Sequence, residues 1–136
     1  MTNPNNATIS TVHQAEFTSG HALQIPTLRI LQDDGTLYEG ATAPELDKAT
    51  ALKMYQTMTF IRVLDERMLG AQRQGRISFY MQCLGEEAAT VGSAAALDDA
   101  DMIMAQYREQ GALRYRGFTL EQFMNQLFSN EKDLGK

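Results

Sequence analysis

The sequence predicts an α/β chain that is mostly helical, with one small hairpin and one short buried strand. Three observations predict it. Apolar residues recur at helical spacing after residue 44, an Asp-Gly turn separates two short apolar runs, and a four-residue apolar run follows an acidic turn. One strand and one hairpin cannot form a doubly wound sheet by themselves. On the residues alone, the chain is therefore either a small helical domain or part of a larger α/β domain.

The first 24 residues differ in composition from the rest of the chain. They are dominated by Asn, Thr, Ser, Gln and Ala, which bury too little apolar surface to offset the entropy of ordering. We therefore expect residues 1–24 to form a disordered tail and residues 25–136 to form the folded part. Both histidines, His13 and His21, lie in this tail, so the folded part offers no imidazole for acid–base work.

A hairpin and a long helix are predicted next. Residues 25–38 contain two apolar runs around the turn at 33–35, which is typical of a hairpin. Thr42 and Pro44 supply a cap and a first-turn proline, so the helix should begin there and run for roughly 25 to 30 residues to a stop before Gly75. Its apolar stripe predicts core packing and consists of Met54, Met58, Ile61, Leu64 and Met68.

The second half of the chain predicts shorter elements. Residues 85–97 place Gly, Ala and Ser on every side of a helix, which predicts a helix that its neighbours approach closely. Residues 102–105 form an apolar run compatible with a short buried strand. A short helix is expected over 111–115, and Thr119 with Gln122 forms a capping box for a last helix. The apolar face of that last helix consists of Leu120, Phe123, Met124 and Leu127.

Charge and cysteine content exclude several classes of protein. The formal net charge of -5, with mostly scattered cations, argues against nucleic acid or a membrane as a partner. No run approaches the roughly 18 apolar residues of a membrane span. The single cysteine, Cys83, cannot form an internal disulfide, which fits a reducing compartment. Because the stretch before Arg29 lacks the arginines of a transit peptide, we expect a bacterial cytoplasmic protein, with the mitochondrial matrix less favoured.

Candidate chemistry is confined to a polar segment after the predicted strand. The sequence contains no phosphate-binding glycine motif, no zinc-ligand spacing and no histidine partner for Cys83 in the folded part. Gln106, Tyr107 and Arg108 lie where open α/β folds place a ligand crevice, and an arginine fork matches phosphate oxygens. The alternative is a surface ion pair of Arg108, with Glu109 for example. Spacing alone leaves both open.

An ordered series of motifs carries a resemblance to a known family. The runs GRISFY, GEEA, VGSAAAL and QYREQG occur in this order between Arg73 and Phe128. They resemble the alpha subunit of the decarboxylating component of 2-oxo acid dehydrogenase complexes, and the branched-chain (2-oxoisovalerate) type is most similar. The resemblance implies that residues 25–136 are the N-terminal, mostly helical part of a thiamine diphosphate-binding dehydrogenase domain, truncated here, with the first strand of its parallel sheet.

The resemblance assigns roles to individual residues. It implies that the diphosphate of thiamine diphosphate contacts Gln106, Tyr107 and Arg108. It places Phe79 and Tyr107 beside the substrate, with Tyr80 as the neighbour of Phe79. A pair of core aromatic residues is the alternative for Phe79 and Tyr80.

The resemblance also implies which parts of an active site lie elsewhere. The magnesium-binding motif would follow Lys136 and the activating glutamate would come from a beta subunit, so we expect no catalytic residue and no metal ligand here, and no activity of this chain alone. The reaction would be oxidative decarboxylation of a 2-oxo acid with acyl transfer to a lipoyl group. The implied partners are the beta subunit of an α2β2 heterotetramer and a lipoyl-bearing acyltransferase. A pyruvate- or acetoin-type alpha subunit, or a non-catalytic helical interaction module, remains the alternative.

Overall fold

The computed structural model describes residues 13–15, 17, 19, 20 and 26–134. Its contacts group into two units that divide between Pro44 and Glu45. The prediction of a disordered tail falls mostly outside the described residues and stays a prediction. The helices of the second unit are α1 (Lys48–Arg73), α2 (Glu87–Ala95), α3 (Gln110–Tyr115) and α4 (Leu120–Leu127). None of the described helices combines the length and the apolar character needed to cross a membrane.

The first unit contains the predicted hairpin, reduced to one antiparallel bridge between Leu31 and Leu37. Gly35 lies in its turn with φ +85, a left-handed conformation that glycine adopts without strain. The Asp34 carboxylate accepts hydrogen bonds from the hydroxyl and the backbone amide of Thr36, at 2.7 and 2.9 Å. The hydroxyl bond is the main reason that the pKa of Asp34 is lowered. Local turn chemistry therefore closes this hairpin.

Helix α1 begins at a different residue from the predicted one. Its cap is Asp47, whose carboxylate accepts from the backbone amides of Ala49 and Thr50 at 2.7 and 2.9 Å. The bond from the Thr50 amide is the largest cause of the lowered pKa of Asp47. The predicted start at Thr42 and Pro44 is wrong, because the cap position belongs to the side chain that satisfies the first free amides.

The core lies against the predicted stripe of α1. Ile61, Leu64 and Met68 are buried, whereas Met54 and Met58 are half-buried. The helix ends before Gly75, which has φ +71, as predicted. The buried residues packed together in this core are Ile61, Leu64, Met68, Ala71, Ile77, Tyr80, Cys83 and Phe123.

Helices α1, α2 and α3 all contact one another. The predicted close approach to the small-residue helix is confirmed at Gly111 of α3. A Cβ atom at Gly111 would lie 2.3 Å from Oγ1 of Thr90 and 3.1 Å from Cγ2 of Val91. Val91 and Ala94 on α2 are buried by this packing. The helix itself is shorter than the predicted 85–97.

Helix α4 confirms its predicted capping box. The Thr119 hydroxyl accepts from the Gln122 backbone amide at 3.2 Å, and the Gln122 side chain accepts from the Thr119 amide at 2.8 Å. Phe123 is buried on the predicted face, with Met124 and Leu127 partly buried against the core. Leu120, the fourth residue of that face, is exposed.

The predicted buried strand is not confirmed. Residues 102–106 form no strand in the described structure, and Met102 and Met104 are 86% and 90% exposed. A buried parallel strand takes its hydrogen bonds and its burial from neighbouring strands, and the described residues supply none beside this one. Of the predicted fold class, the mostly helical character is confirmed and the α/β character is not.

Candidate functional site

The segment Gln106–Arg108 lines a groove of 570 Å³ in the second unit. The lining also includes Phe79, Tyr80 and Met81. Residues of α3 and α4 complete it, among them Gln110, Leu113, Phe123 and Leu127. Tyr107 and Arg108 also line a second groove of 440 Å³ beside α2. The structure therefore brings together all the residues that the sequence predicts for the cofactor and the substrate.

Phe79 and Tyr107 form an aromatic pair at this groove. Their ring centroids are 5.9 Å apart and their planes meet at 73°, an edge-to-face arrangement. Both rings are more than half exposed, whereas Tyr80 is 6% exposed and belongs to the core. The alternative of a buried aromatic pair thus fits Tyr80 and does not fit Phe79.

Arg108 has an unusual backbone conformation. Its φ is +70, in the left-handed region where residues other than glycine are uncommon. Its guanidinium Nη1 lies 3.4 Å from Oε1 of Glu86, and both side chains are about half exposed. An ion pair between two such exposed groups contributes little. The predicted alternative partner, Glu109, instead accepts a hydrogen bond from the backbone amide of Gln106.

One hydrogen bond joins two parts of the groove lining. The Gln110 amide nitrogen Nε2 donates to the carbonyl of Met81 at 2.6 Å, which links the start of α3 to the wall that carries Phe79. The other amide atom, Gln110 Oε1, is buried and makes no hydrogen bond to a described residue.

Sequence reasoning missed Asp65, which fixes the wall of the groove. It is 2% exposed, and its carboxylate accepts from the Tyr80 hydroxyl at 2.6 Å and from the Cys83 backbone amide at 2.7 Å. Burial and, second, the bond to Asp65 raise the pKa of Tyr80. Burial and the nearby Asp65 charge raise the pKa of the Cys83 thiol to about 12. The available signal was a carboxylate directly after Leu64 on the buried stripe of α1.

Glu87 has a structural role at the start of α2. Its Oε2 accepts from the Gly85 backbone amide at 2.8 Å, and Gly85 has φ +85. Its Oε1 makes no hydrogen bond to a described residue, and Nη1 of Arg62 lies 3.7 Å away. Among the described residues, no three potential metal ligands come together.

The residues of the groove that contains Phe79 and Arg108 fit a ligand that carries a phosphate group. Arg108 offers a guanidinium held by one weak ion pair, Tyr107 offers a hydroxyl, and Gln106 offers an amide. An incoming phosphate can compete for the guanidinium because the pair with Glu86 is half exposed. Apolar residues on the same groove can accommodate an uncharged side chain.

Comparisons with known proteins identify the family. Residues 55–136 match the family described as dehydrogenase E1 component. The chain is 49% identical to the mitochondrial 2-oxoisovalerate dehydrogenase subunit alpha of Caenorhabditis elegans over 112 residues, covering 82% of this chain and 26% of that protein. For the human protein of that name the identity is 44% over 126 residues, covering 92% and 28%. For subunit alpha 1 of Arabidopsis thaliana it is 46% over 113 residues, covering 83% and 24%.

These relatives correct the predicted location. The chain spans about a quarter of their length, and all three are eukaryotic proteins whose names include the word mitochondrial. The prediction of a bacterial cytoplasmic protein is therefore wrong. Its argument failed because it rested on the arginine content of the short stretch before Arg29, which does not by itself decide the compartment of a protein.

Agreement therefore exists at three levels. The motifs occur in the expected order, the groove contains the residues expected at a cofactor, and the match covers more than half of the chain. The chain belongs to the dehydrogenase E1 component family.

Proposed function

We propose that this chain is part of the alpha subunit of a thiamine diphosphate-dependent branched-chain 2-oxo acid dehydrogenase. Its own contribution is to bind the diphosphate of the cofactor with Gln106, Tyr107 and Arg108, and to place Phe79 and Tyr107 beside the substrate. The names of the relatives, all 2-oxoisovalerate dehydrogenase alpha subunits, support the substrate class.

One observation carries the proposal. Arg108 has a left-handed backbone and a half-exposed guanidinium, and it lies on the same groove as the exposed rings of Phe79 and Tyr107. Strained backbone conformations of this kind cluster at ligand-binding sites, where the surrounding structure holds them. The sequence motifs that carry the resemblance lie on two separate segments, and both segments line this one groove, which supports the proposal.

The chemistry divides between the cofactor and the protein. Thiamine diphosphate, when bound, supplies the electron sink for decarboxylation of the 2-oxo acid. Arg108 neutralises phosphate charge, and the amide of Gln106 and the hydroxyl of Tyr107 orient it through hydrogen bonds. The exposed edge of Phe79 offers an apolar contact to a branched side chain. Magnesium is part of the proposal through ligands outside this chain.

Partners complete the proposed activity. A beta subunit in an α2β2 heterotetramer would supply the activating glutamate, and a lipoyl-bearing acyltransferase would accept the acyl group. The exposed Met102 and Met104 fit a segment that is covered in the assembled enzyme, because contiguous exposed apolar side chains are uncommon on an isolated domain.

Substrate competition tests the proposed function in the protein of natural length with its beta partner. We expect kcat/KM for 2-oxoisovalerate to exceed that for pyruvate. Phe79→Ala should lower the branched-chain value by about tenfold or more and leave pyruvate less affected, because an apolar contact of one side chain is worth ~1–3 kcal/mol. Leu97→Ala, which truncates an exposed side chain outside the groove, is the matched control. A preference for pyruvate would favour the pyruvate-type alternative.

A further inference from the structure

Another polar groove, of 540 Å³, is lined by residues outside the proposed cofactor site. Helix α1 lines it with Lys53, Gln56 and Thr57. Helix α3 contributes Arg114 and Tyr115, the two residues after it contribute Arg116 and Gly117, and Asp99 completes the lining. None of these residues lines either groove that contains Arg108. Three cations thus face one space, in a chain whose net charge is -5.

Two of the three cations are held by aromatic rings. Nζ of Lys53 lies 4.0 Å from the ring centroid of Tyr115, and the guanidinium carbon of Arg114 lies 4.4 Å from that of Phe60. Arg114 also donates from Nη1 to the carbonyl of Phe118 at 3.1 Å. Within the described residues, no carboxylate lies within 4 Å of either cation. Ring contacts fix these groups without neutralising them.

Arg116 is fixed by backbone carbonyls. It donates from Nη2 to the carbonyl of Asp98 at 2.6 Å and from Nη1 to that of Asp99 at 2.9 Å. Its Nε is buried and has no hydrogen-bond partner among the described residues. The one carboxylate nearby is that of Asp99, 3.7 Å from Nη1 and fully exposed, so it compensates the charge weakly.

We propose that this groove binds a phosphate dianion, either free phosphate or the phosphate of a small phosphomonoester. Lys53 and Arg114 line the same groove, and charge-assisted hydrogen bonds from fixed cations to a dianion are the strong ones. The groove volume falls in the range of small-molecule sites, which favours a small ligand over an extended polymer. The inference does not depend on the proposed enzymatic function.

Phosphate titration of the protein of natural length tests the proposal, at constant ionic strength with chloride as the reference anion. Amide chemical shifts around Gly117 would report binding at this groove, because Gly117 lines it and does not line the grooves that contain Arg108. We expect Lys53→Gln and Arg114→Gln each to weaken phosphate binding about tenfold, the effect of losing one charge-assisted bond. Lys53→Arg should retain most of the affinity. Lys48→Gln is the matched control, because Lys48 is on α1 but outside the groove.

Further arms separate the sources and the sites. Glycerol phosphate that binds as well as inorganic phosphate would identify a phosphomonoester site, and binding of inorganic phosphate alone would identify a free-phosphate site. Arg108→Ala should leave either affinity unchanged. The proposal is overturned if neither anion binds better than chloride, or if binding depends on Arg108. It is also overturned if Lys53→Gln and Arg114→Gln bind phosphate like wild type while their thermal transitions show that they are folded.

Discussion

Replacing Asp65 by Asn tests how strongly one buried carboxylate holds the wall of the proposed cofactor groove. The carboxylate accepts from the Tyr80 hydroxyl and from the Cys83 backbone amide. Asparagine can retain one of these bonds, but its NH₂ group then faces the other donor. A buried donor without a partner costs ~1–3 kcal/mol, so Asp65→Asn should destabilise by about this amount. Asp65→Ala removes both acceptors and leaves two buried donors without a partner, so it should cost about twice as much, ~2–6 kcal/mol.

Thermal and urea denaturation of the protein of natural length would measure this effect. Glu66→Gln is the matched control, since Glu66 is the next residue of α1 and is exposed. Tyr80→Phe combined with Asp65→Asn in a double-mutant cycle should show coupling, because the two side chains share one bond. A loss of stability in Asp65→Asn no larger than that in Glu66→Gln would refute the reasoning.

Three further predictions concern packing and ionisation. Gly111→Ala should destabilise the fold by about 1–3 kcal/mol, as measured by denaturation, because the added Cβ would meet Thr90 Oγ1 at 2.3 Å. This cost should be smaller in a Thr90→Ala background. An equal cost in both backgrounds would contradict the clash. Folding raises the pKa of the Cys83 thiol to about 12 from 9.0, so its contribution to the stability of the fold is complete below pH 9 and is lost as pH rises through about 12. Iodoacetamide at pH 8 should therefore label Cys83 only on unfolding, and fast labelling of the folded protein would contradict this. The pKa of Asp47 is lowered below 3.8, so its contribution to the stability of the fold is present above that pH and is lost as pH falls through the folded pKa. The helical circular dichroism signal should therefore fall in acid, and Asp47→Asn should flatten this fall. An unchanged acid transition in Asp47→Asn would contradict the capping role.

Local signals in the sequence predicted several elements correctly. The hairpin turn, the Thr119 and Gln122 capping box and the stop before Gly75 depend on neighbouring residues, and each is present. The start of α1 was misplaced because both Thr42 and Asp47 can cap a helix. Only the geometry of the backbone decides which side chain reaches the free amides.

Features that depend on distant residues were beyond the sequence argument. The strand at 102–105 needs neighbouring strands, which the described residues do not provide. The hydrogen bond between Asp65 and Tyr80 joins two segments whose relative orientation the sequence alone does not give. The same is true of the ion pair between Arg108 and Glu86. The meeting of Phe79 and Tyr107 was implied by the resemblance, because both were assigned to one site.

The affinity for thiamine diphosphate in Arg108→Ala tests most directly whether Gln106, Tyr107 and Arg108 bind its diphosphate. Calorimetric titration would use the protein of natural length, folded with its beta partner. Losing a charge-assisted bond of ~1.5–3 kcal/mol should raise the dissociation constant by roughly ten- to hundredfold, and Arg108→Lys should recover only part of this. Arg114→Gln should bind the cofactor like wild type, because Arg114 does not line either groove that contains Arg108. Unchanged affinity in Arg108→Ala would contradict the account and leave Arg108 as the surface ion-pair partner of Glu86.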